Sequence, residues 1–330
     1  MYNGDFSLWC DFVERDFIDG EFRKLLKSEA INGATSNPSI FKNAILNSPA
    51  YTKQKEKFKH KTPKEIYEIL ATTDIRLAAE AMFKNFIDKD DGFISIEVDP
   101  SLSGDAKETY KEGKRLNATI GMPNVMIKIP ATEAGFEAME KLIAKGINVN
   151  ATLIFSPKQT KECLKAFEKG TKKFKERFPK ANLPQAVISI FVSRFDRLLD
   201  SEFEKVGIEK AKFGIVNASK CYHLIEDAKL ENVRALFAST GVKGDDLEKD
   251  YYIKELMYKN SINTAPLETI KEFIKSKKMV KEAVSKGEVD KFFKKVENAG
   301  FNVKEIYSAL LEDGLKQFEV AFGEILDSLK

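Results

Sequence analysis

Histidine and cysteine are scarce in this chain of 330 residues. The two histidines, His60 and His223, have no neighbours of metal-ligating type and spacing, so we expect no metal site. The three cysteines, Cys10, Cys163 and Cys221, lie far apart and form no Cys-x-x-Cys pair. Both shortages predict a reduced, cytoplasmic protein rather than a disulfide-rich or zinc-binding one.

Long apolar runs, charge imbalance and glycine-rich phosphate motifs are missing as well. No stretch approaches the roughly 18 apolar residues of a membrane span, and residues 1–12 lack the pattern of a signal peptide. Lys and Arg number 54 against 51 Asp and Glu, and no basic block lies beside an aromatic platform. Neither G-x-x-x-x-G-K nor G-x-G-x-x-G occurs. We therefore expect no membrane, no nucleic acid and no nucleotide as partners.

Short strand-like runs alternate with amphipathic helical segments along most of the chain. This alternation indicates βαβ units and a parallel sheet, and eight units favour a closed (β/α)₈ TIM barrel over an open sheet. The helical segments include 64–86, 135–145, 158–178 and 195–206. The predicted strands are 7–13, 31–35, 93–99, 125–131, 149–155, 186–192, 233–239 and 261–266.

We expect one barrel domain over residues 1–330, because α/β barrels commonly form a single domain of about 250 residues. Residues 269–330 form a charged, amphipathic tail with stripes of Phe, Ile and Leu. We expect this tail to pack on the barrel as additional C-terminal helices.

One face of several predicted strands is polar. In 93–99, Ser95, Glu97 and Asp99 alternate with apolar residues. Because residues two apart share a face, we expect the polar face to point into the barrel, toward the catalytic mouth. An antiparallel sheet with one wet face is the alternative, which the βαβ alternation disfavours. In 149–155, Asn150 and Thr152 oppose Val149, Ala151, Leu153 and Phe155.

Lys128 is the only charged residue in the strand-like run Val-Met-Ile-Lys-Ile-Pro. A lysine buried in a barrel loses hydration, so its pKa falls and its neutral amine can attack a ketone to form an imine. An edge-protecting surface lysine is the alternative, and it fits poorly in so apolar a run.

Imine chemistry also requires proton transfer and substrate binding. Glu97 and Asp11 are candidates for proton transfer near strand ends, and Arg194 is a candidate for holding a phosphate. A metal-assisted route is disfavoured by the two isolated histidines. Residues able to orient a polyol and a catalytic water are Asn37, Asn150, Thr152 and Ser189.

Five segments resemble the transaldolase family in the family's order. The segment 33–40, Gly-Ala-Thr-Ser-Asn-Pro-Ser-Ile, resembles the first family signature. The segment 125–135 resembles the second, which carries the Schiff-base lysine, here Lys128. Segments 93–100, 146–156 and 188–194 resemble the strands with the acid–base glutamate, the following polar residues and the phosphate site.

The resemblance implies a role for each matching residue. Lys128 is the nucleophile, Glu97 relays protons through a water positioned by Thr152, and Asp11 takes the sugar's hydroxyl proton. Asn37 and Asn150 hold hydroxyls, whereas Ser189 and Arg194 contact the sugar and its phosphate.

The match changes at the seventh strand. Many transaldolases place a second phosphate-binding arginine two residues after a strand-seven serine. Here Gly241 stands two residues after Ser239, and Lys243 is the candidate substitute. Ala-Ser-Thr-Gly-Val-Lys, residues 238–243, resembles the longer transaldolase subfamily.

By this resemblance we expect a transaldolase of the non-oxidative pentose phosphate pathway without any cofactor. It would exchange sedoheptulose 7-phosphate and glyceraldehyde 3-phosphate for erythrose 4-phosphate and fructose 6-phosphate. A fructose 6-phosphate aldolase of the same superfamily is the nearest alternative, but those enzymes have Gln at the place of Glu97 and Tyr at that of Phe191. A catalytically silent sugar-phosphate-binding barrel is a further alternative. A homodimer is left open.

Overall fold

Eight parallel strands close into a barrel in the computed structural model, which describes residues 6–276 and 279–330. The strands follow chain order around the barrel, and the first pairs with the eighth. The predicted TIM barrel is therefore confirmed, and every predicted strand forms with small shifts at its ends. The strands are β1 (Phe6–Cys10), β2 (Gly33–Thr35), β3 (Ile94–Glu97), β4 (Val125–Pro130), β5 (Asn148–Ile154), β6 (Ala186–Phe191), β7 (Val233–Ala238) and β8 (Ser261–Ala265).

Helices connect the strands and extend beyond the last one. The predicted helix 64–86 is in fact two helices, because the chain leaves helical geometry at Met82. The α-helices within the described ranges are α1 (Arg15–Phe17), α2 (Arg23–Lys27), α3 (Pro38–Asn47), α4 (Thr52–Phe58), α5 (Pro63–Ala81), α6 (Phe83–Ile87), α7 (Ala106–Ile120), α8 (Glu133–Ile143), α9 (Pro157–Arg177), α10 (Ser193–Lys205), α11 (Phe213–Ala228), α12 (Tyr251–Glu255), α13 (Leu267–Lys275), α14 (Lys286–Asn298) and α15 (Val303–Ser328).

Local capping explains why long helices begin where they do. At α9, Ser156 accepts from the backbone N–H of Gln159, and the Gln159 side chain accepts from the backbone of Ser156 in return. Pro157 occupies the first helical position, where its missing N–H costs nothing. The Gln159 amide also donates 2.9 Å to the carbonyl of Leu153, which joins the helix start to the end of β5.

The strands carry two apolar layers. Their outward faces, for example Ile96, Ile127 and Ile190, belong to one core cluster with the surrounding helices. Their inward faces include Trp9 and Met126, which belong to a second cluster that continues from the barrel interior to helices α10, α11, α14 and α15. The helices pack against the outward faces of the strands. The polar strand residues lie on the inward faces at the catalytic end, as predicted.

The predicted alternation along β5 is wrong beyond Thr152. The register with β6 shifts between Ala151 and Ile154, and Leu153 adopts a left-handed φ of 56°. Such an extra residue is a β-bulge, and it reverses which side chains point inward. Leu153 and Phe155 therefore pack in the inner cluster, whereas Ile154 joins the outer one.

The C-terminal helices contact the barrel from two sides. The ring of Phe293 on α14 packs 5.4 Å from that of Phe213 on α11. On α15, the Phe322 ring makes an edge contact of 5.0 Å with Tyr67 on α5, and Phe318 reaches the cavity at the barrel mouth. No helix in the described ranges combines the length and apolarity required to cross a membrane.

Candidate active site

A cavity of about 390 Å³ opens where the carboxyl ends of the strands meet. In parallel barrels this end collects the loops that follow all eight strands, so side chains distant in sequence converge there. Glu97, Asn150 and Thr152 are buried in the strands around it. The other predicted site residues line its wall: Asp11, Asn37, Lys128, Ser189, Phe191, Arg194, Ser239 and Lys243.

Lys128 lies within β4 and is 5% exposed. Strand register places it beside Glu97 of β3 on one side and Asn150 of β5 on the other. Its Nζ donates to the Ser36 carbonyl at 3.1 Å and lies 3.8 Å from Glu97 Oε2. The second distance makes an ion pair but is too long for a hydrogen bond.

Glu97 is buried at the end of β3. Its pKa is raised to about 7: burial is the main cause, the positive charge of Lys128 opposes it, and Asp11 adds a smaller rise. Among the described residues, neither carboxyl oxygen of Glu97 has a hydrogen-bond partner, and the hydroxyl of buried Thr152 has none either. A carboxyl group with a pKa near neutrality can both give and take a proton at physiological pH.

Asp11 follows β1 and accepts a hydrogen bond of 2.6 Å from the Thr35 hydroxyl. Burial raises the pKa of Asp11, whereas Lys128 and the Thr35 hydroxyl lower it. The Thr35 hydroxyl is also 2.6 Å from that of Thr264. Because a hydroxyl has one proton and Thr35 donates it to Asp11, Thr264 is the donor in the second bond.

Sequence reasoning did not select Thr35 and Thr264, although both line the cavity. Thr35 lies inside the family-like segment 33–40, and Thr264 lies in the strand-like run 261–266. Their position next to those motifs was a usable signal, but their mutual contact spans 229 positions along the chain.

Asn150 ties three strands together behind Lys128. Its amide donates to Ser95 Oγ on β3 at 2.9 Å, and its Oδ1 accepts from Ser189 Oγ on β6 at 2.6 Å. Asn37 begins α3 and accepts from the backbone N–H of Ile40 at 3.0 Å. The amide NH₂ of Asn37 can therefore donate to a ligand.

Arg194 lies at the start of α10, with its side chain 13% exposed. Its guanidinium stands 5.2 Å from the centre of the Phe191 ring, and Nη1 is 3.7 Å from Asp313 Oδ2. Burial lowers the pKa of Arg194, neighbouring Arg197 lowers it further, and Asp313 opposes them. This cation faces a cavity at a helix N-terminus, a setting that suits an anion.

Ser239 follows β7 directly and has a left-handed φ of 55°. Its carbonyl accepts the backbone N–H of Ser193 at 3.0 Å, and the two hydroxyl oxygens lie 3.1 Å apart. Ser239 therefore joins the end of β7 to the start of α10, beside Arg194.

Comparison with known proteins agrees with this geometry. The chain matches the family described as transaldolase/fructose-6-phosphate aldolase over residues 8–329. The chain belongs to the transaldolase/fructose-6-phosphate aldolase family. It is 50% identical over 330 residues to a transaldolase of Campylobacter jejuni strain RM1221, covering 98% of this chain and 99% of that one. It is 43% identical over 326 residues to a transaldolase of Helicobacter pylori strain Shi470, with the same coverage.

The segment after β7 lines the phosphate end of the cavity. A Cβ atom on Gly241 would lie 3.0 Å from Pro266 Cγ, so a side chain at that position would press on the start of α13. Lys243 lines the cavity and is exposed. Arg197 and Lys249, which sequence reasoning missed, line the same cavity. The chain therefore offers three further cations, Arg197, Lys243 and Lys249, around the cavity that Arg194 lines.

Proposed function

We propose that this chain acts as a transaldolase with Lys128 as its Schiff-base nucleophile. It transfers a dihydroxyacetone unit from sedoheptulose 7-phosphate or fructose 6-phosphate to an aldose phosphate, reversibly, as in the non-oxidative pentose phosphate pathway. The observation that carries the proposal is the amine of Lys128, buried beside Glu97 at the carboxyl ends of the barrel strands.

The reaction begins when the neutral amine adds to the ketone of the donor and forms a carbinolamine. The former carbonyl oxygen leaves as water after protonation, and the nitrogen becomes a protonated imine. Glu97 supplies and recovers these protons, because its raised pKa allows both states at neutral pH. A water held by the Thr152 hydroxyl and the Glu97 carboxylate links the acid to the substrate. Neither group has a hydrogen-bond partner within the described part of the chain, and this supports the relay.

Cleavage requires a base for the hydroxyl of the departing aldose. Asp11 accepts this proton while the electrons of the breaking C–C bond move into the imine and form an enamine on Lys128. The aldose phosphate leaves, an acceptor aldehyde enters, and the same steps run in reverse. Asp11 lines the cavity with Lys128. Burial raises the pKa of Asp11, but the charge of Lys128 and the Thr35 hydrogen bond oppose that rise and favour the carboxylate that accepts the proton.

The remaining site residues hold the substrate. Asn37, Asn150 and Ser189 hydrogen-bond the hydroxyls of the bound sugar. Arg194 binds the phosphate, assisted by the start of α10 and by cations such as Lys243. Ser239 orients the start of α10 through its bond to Ser193.

Borohydride trapping tests the central step. Fructose 6-phosphate and borohydride should fix a dihydroxyacetone adduct on Lys128, identified by peptide mass spectrometry. Lys128→Ala should lose trapping and nearly all turnover. Lys141→Ala, which removes an exposed lysine on α8, should match the wild type. Equal labelling of Lys128→Ala and wild type would overturn the proposal.

A fructose 6-phosphate aldolase is the second candidate, because the matched family includes that activity. Glu97 and Phe191 favour transfer. Measuring free dihydroxyacetone with and without an acceptor aldehyde separates the two activities. A silent barrel would show neither product in a coupled assay.

The domain organisation, the location and the assembly of the protein stay predictions. We expect a single domain over residues 1–330, a cytoplasmic location and no nucleic acid or membrane partner. A homodimer is the assembly to test first by light scattering. The three cysteines are free and buried, which agrees with a reducing compartment.

A further inference from the structure

The C-terminal helix α15 approaches the phosphate end of the cavity very closely. A methyl group at Gly314 would stand 3.4 Å from Arg194 Nη1 and 2.9 Å from Leu153 Cδ2. Glycine weakens a helix interior, so its presence midway along α15 calls for a packing reason. Close contact of the helix backbone with Leu153, and next with Arg194, supplies that reason. Phe318, one turn further on, lines the same cavity.

Arg194 is a cation with little solvation. Its guanidinium carbon lies 5.2 Å from the centre of the Phe191 ring, and its Nη1 has no hydrogen-bond acceptor among residues 6–276 and 279–330. The nearest anion is Asp313 on α15, at 3.7 Å. This separation gives electrostatic attraction without a hydrogen bond, so the guanidinium keeps donors available for another anion.

The carboxylate of Asp313 is held near Arg194 by a neighbouring side chain and does not bind the guanidinium tightly. Its Oδ2 accepts a 2.6 Å hydrogen bond from Gln317, one turn along α15. Its side chain is 53% exposed, so water can solvate the carboxylate when another anion takes the arginine. A phosphate carries more negative charge than a carboxylate and can likewise bind a guanidinium through two hydrogen bonds, so it can outcompete the carboxylate.

We propose that Asp313 is the resident counter-ion of Arg194 and that substrate phosphate competes with it, so that Asp313 sets the affinity of the site for phosphate. The inference rests on the proposed role of Arg194 as the phosphate ligand. It assigns the C-terminal helix a part in substrate recognition. A carboxylate beside the bound phosphate weakens binding of donor and product alike, which favours product release.

Inhibition by inorganic phosphate measures this competition directly. Asp313→Asn keeps the shape and an acceptor for Gln317 but removes the charge. We expect it to lower the inhibition constant of phosphate and the KM of fructose 6-phosphate about fivefold, as expected for an exposed ion pair. The KM of unphosphorylated fructose should stay constant. Glu312→Gln, which removes an exposed charge from the adjacent position, should leave all three values unchanged.

Two outcomes overturn the proposal. An unchanged phosphate inhibition constant in Asp313→Asn would show that the carboxylate does not compete. A raised constant would show that Asp313 aligns Arg194 for phosphate instead of opposing it. Arg194→Ala separates this test from the parent assignment. If that variant binds phosphate as the wild type does, Arg194 is not the phosphate ligand, whatever Asp313→Asn shows. Borohydride trapping on Lys128 confirms in each variant that the site is folded.

Discussion

Lys128 Nζ lies 3.8 Å from Glu97 Oε2, and the two side chains are 6% and 2% exposed. They are direct neighbours in the β3–β4 ladder, so the backbone hydrogen bonds of the barrel hold them together. The charge of Lys128 lowers the pKa of Glu97, whereas burial raises it more strongly. The carboxyl of Glu97 therefore titrates near neutrality directly beside the amine that attacks the substrate.

The two acids are expected to act at different steps. Glu97→Gln should slow imine formation, because the amide cannot relay protons to the carbinolamine. Asp11→Ala should form the imine normally but cleave it slowly, because the hydroxyl proton has no acceptor. General acid–base residues typically contribute about 10²–10⁴-fold, so each step should slow on this order. Single-turnover kinetics with borohydride quenching separates the steps. Equal trapping rates for Glu97→Gln and wild type would contradict the relay.

The raised pKa of Glu97 also predicts a dependence of stability on pH. Folding raises its pKa from 4.5 to about 7, so the folded state binds this proton more tightly. The stabilisation that the protonated Glu97 carboxyl contributes to the free energy of unfolding is full below pH 4.5 and is lost as pH rises through 7. The Glu97→Gln variant does not lose stability in this way, because an amide does not ionise in this pH range. Its free energy of unfolding relative to wild type should therefore rise by up to about 3 kcal/mol between pH 4.5 and 8. Urea unfolding at both pH values measures it, and a constant difference would show that Glu97 does not resist ionisation.

The hydroxyl of Thr35 should tune the base Asp11. Thr35→Val keeps the shape but removes a bond that lowers the pKa of Asp11. The pKa should rise, so the acid limb of the kcat profile should move to higher pH while imine formation stays normal. Thr35→Ser retains a hydroxyl and serves as the control. If the pH profiles of Thr35→Val and wild type coincide, the bond has no role in catalysis.

The cations around Arg194 should contribute unequally to phosphate binding. Arg197 follows Arg194 by three positions on α10 and can make bidentate contacts, whereas Lys243 lies outside the helices and strands. Arg197→Ala should raise the KM of fructose 6-phosphate about tenfold, the scale of one charged hydrogen bond. Lys243→Ala should have a smaller effect. Lys205→Ala, at the far end of α10, is the control. A larger effect of Lys243→Ala would instead support the prediction from the sequence that Lys243 takes the place of the second phosphate-binding arginine.

Phe191 should favour transfer over hydrolysis. It lines the cavity with Lys128 and Ser189, and its ring has no proton to give to the enamine. Phe191→Tyr adds a hydroxyl that can donate a proton or position a water, so free dihydroxyacetone should increase as transfer falls. The measurement is dihydroxyacetone released from fructose 6-phosphate without an acceptor. Release no faster than wild type, in a variant that still traps substrate, would show that Phe191 is only part of the packing.

The sequence by itself determined the barrel and its chemical centre. Eight strand-like runs alternate with helices, and this order allows few topologies because parallel strands need crossover connections. Polar alternation along the strands, together with closure of the barrel, places Lys128 and Glu97 inside. Both residues belong to short local sequence patterns. The register of neighbouring strands then places the two side chains next to each other.

Only the tertiary structure decided the parts that depend on distant contacts. The bulge at Leu153 reverses the phase of β5, which a period of two cannot reveal. The Thr35–Thr264 bond needs the closed barrel. Asp313 lies near Arg194 because α15 packs across the mouth of the barrel. Amphipathic spacing predicts that a helix has an apolar face, but it does not predict which surface that face covers.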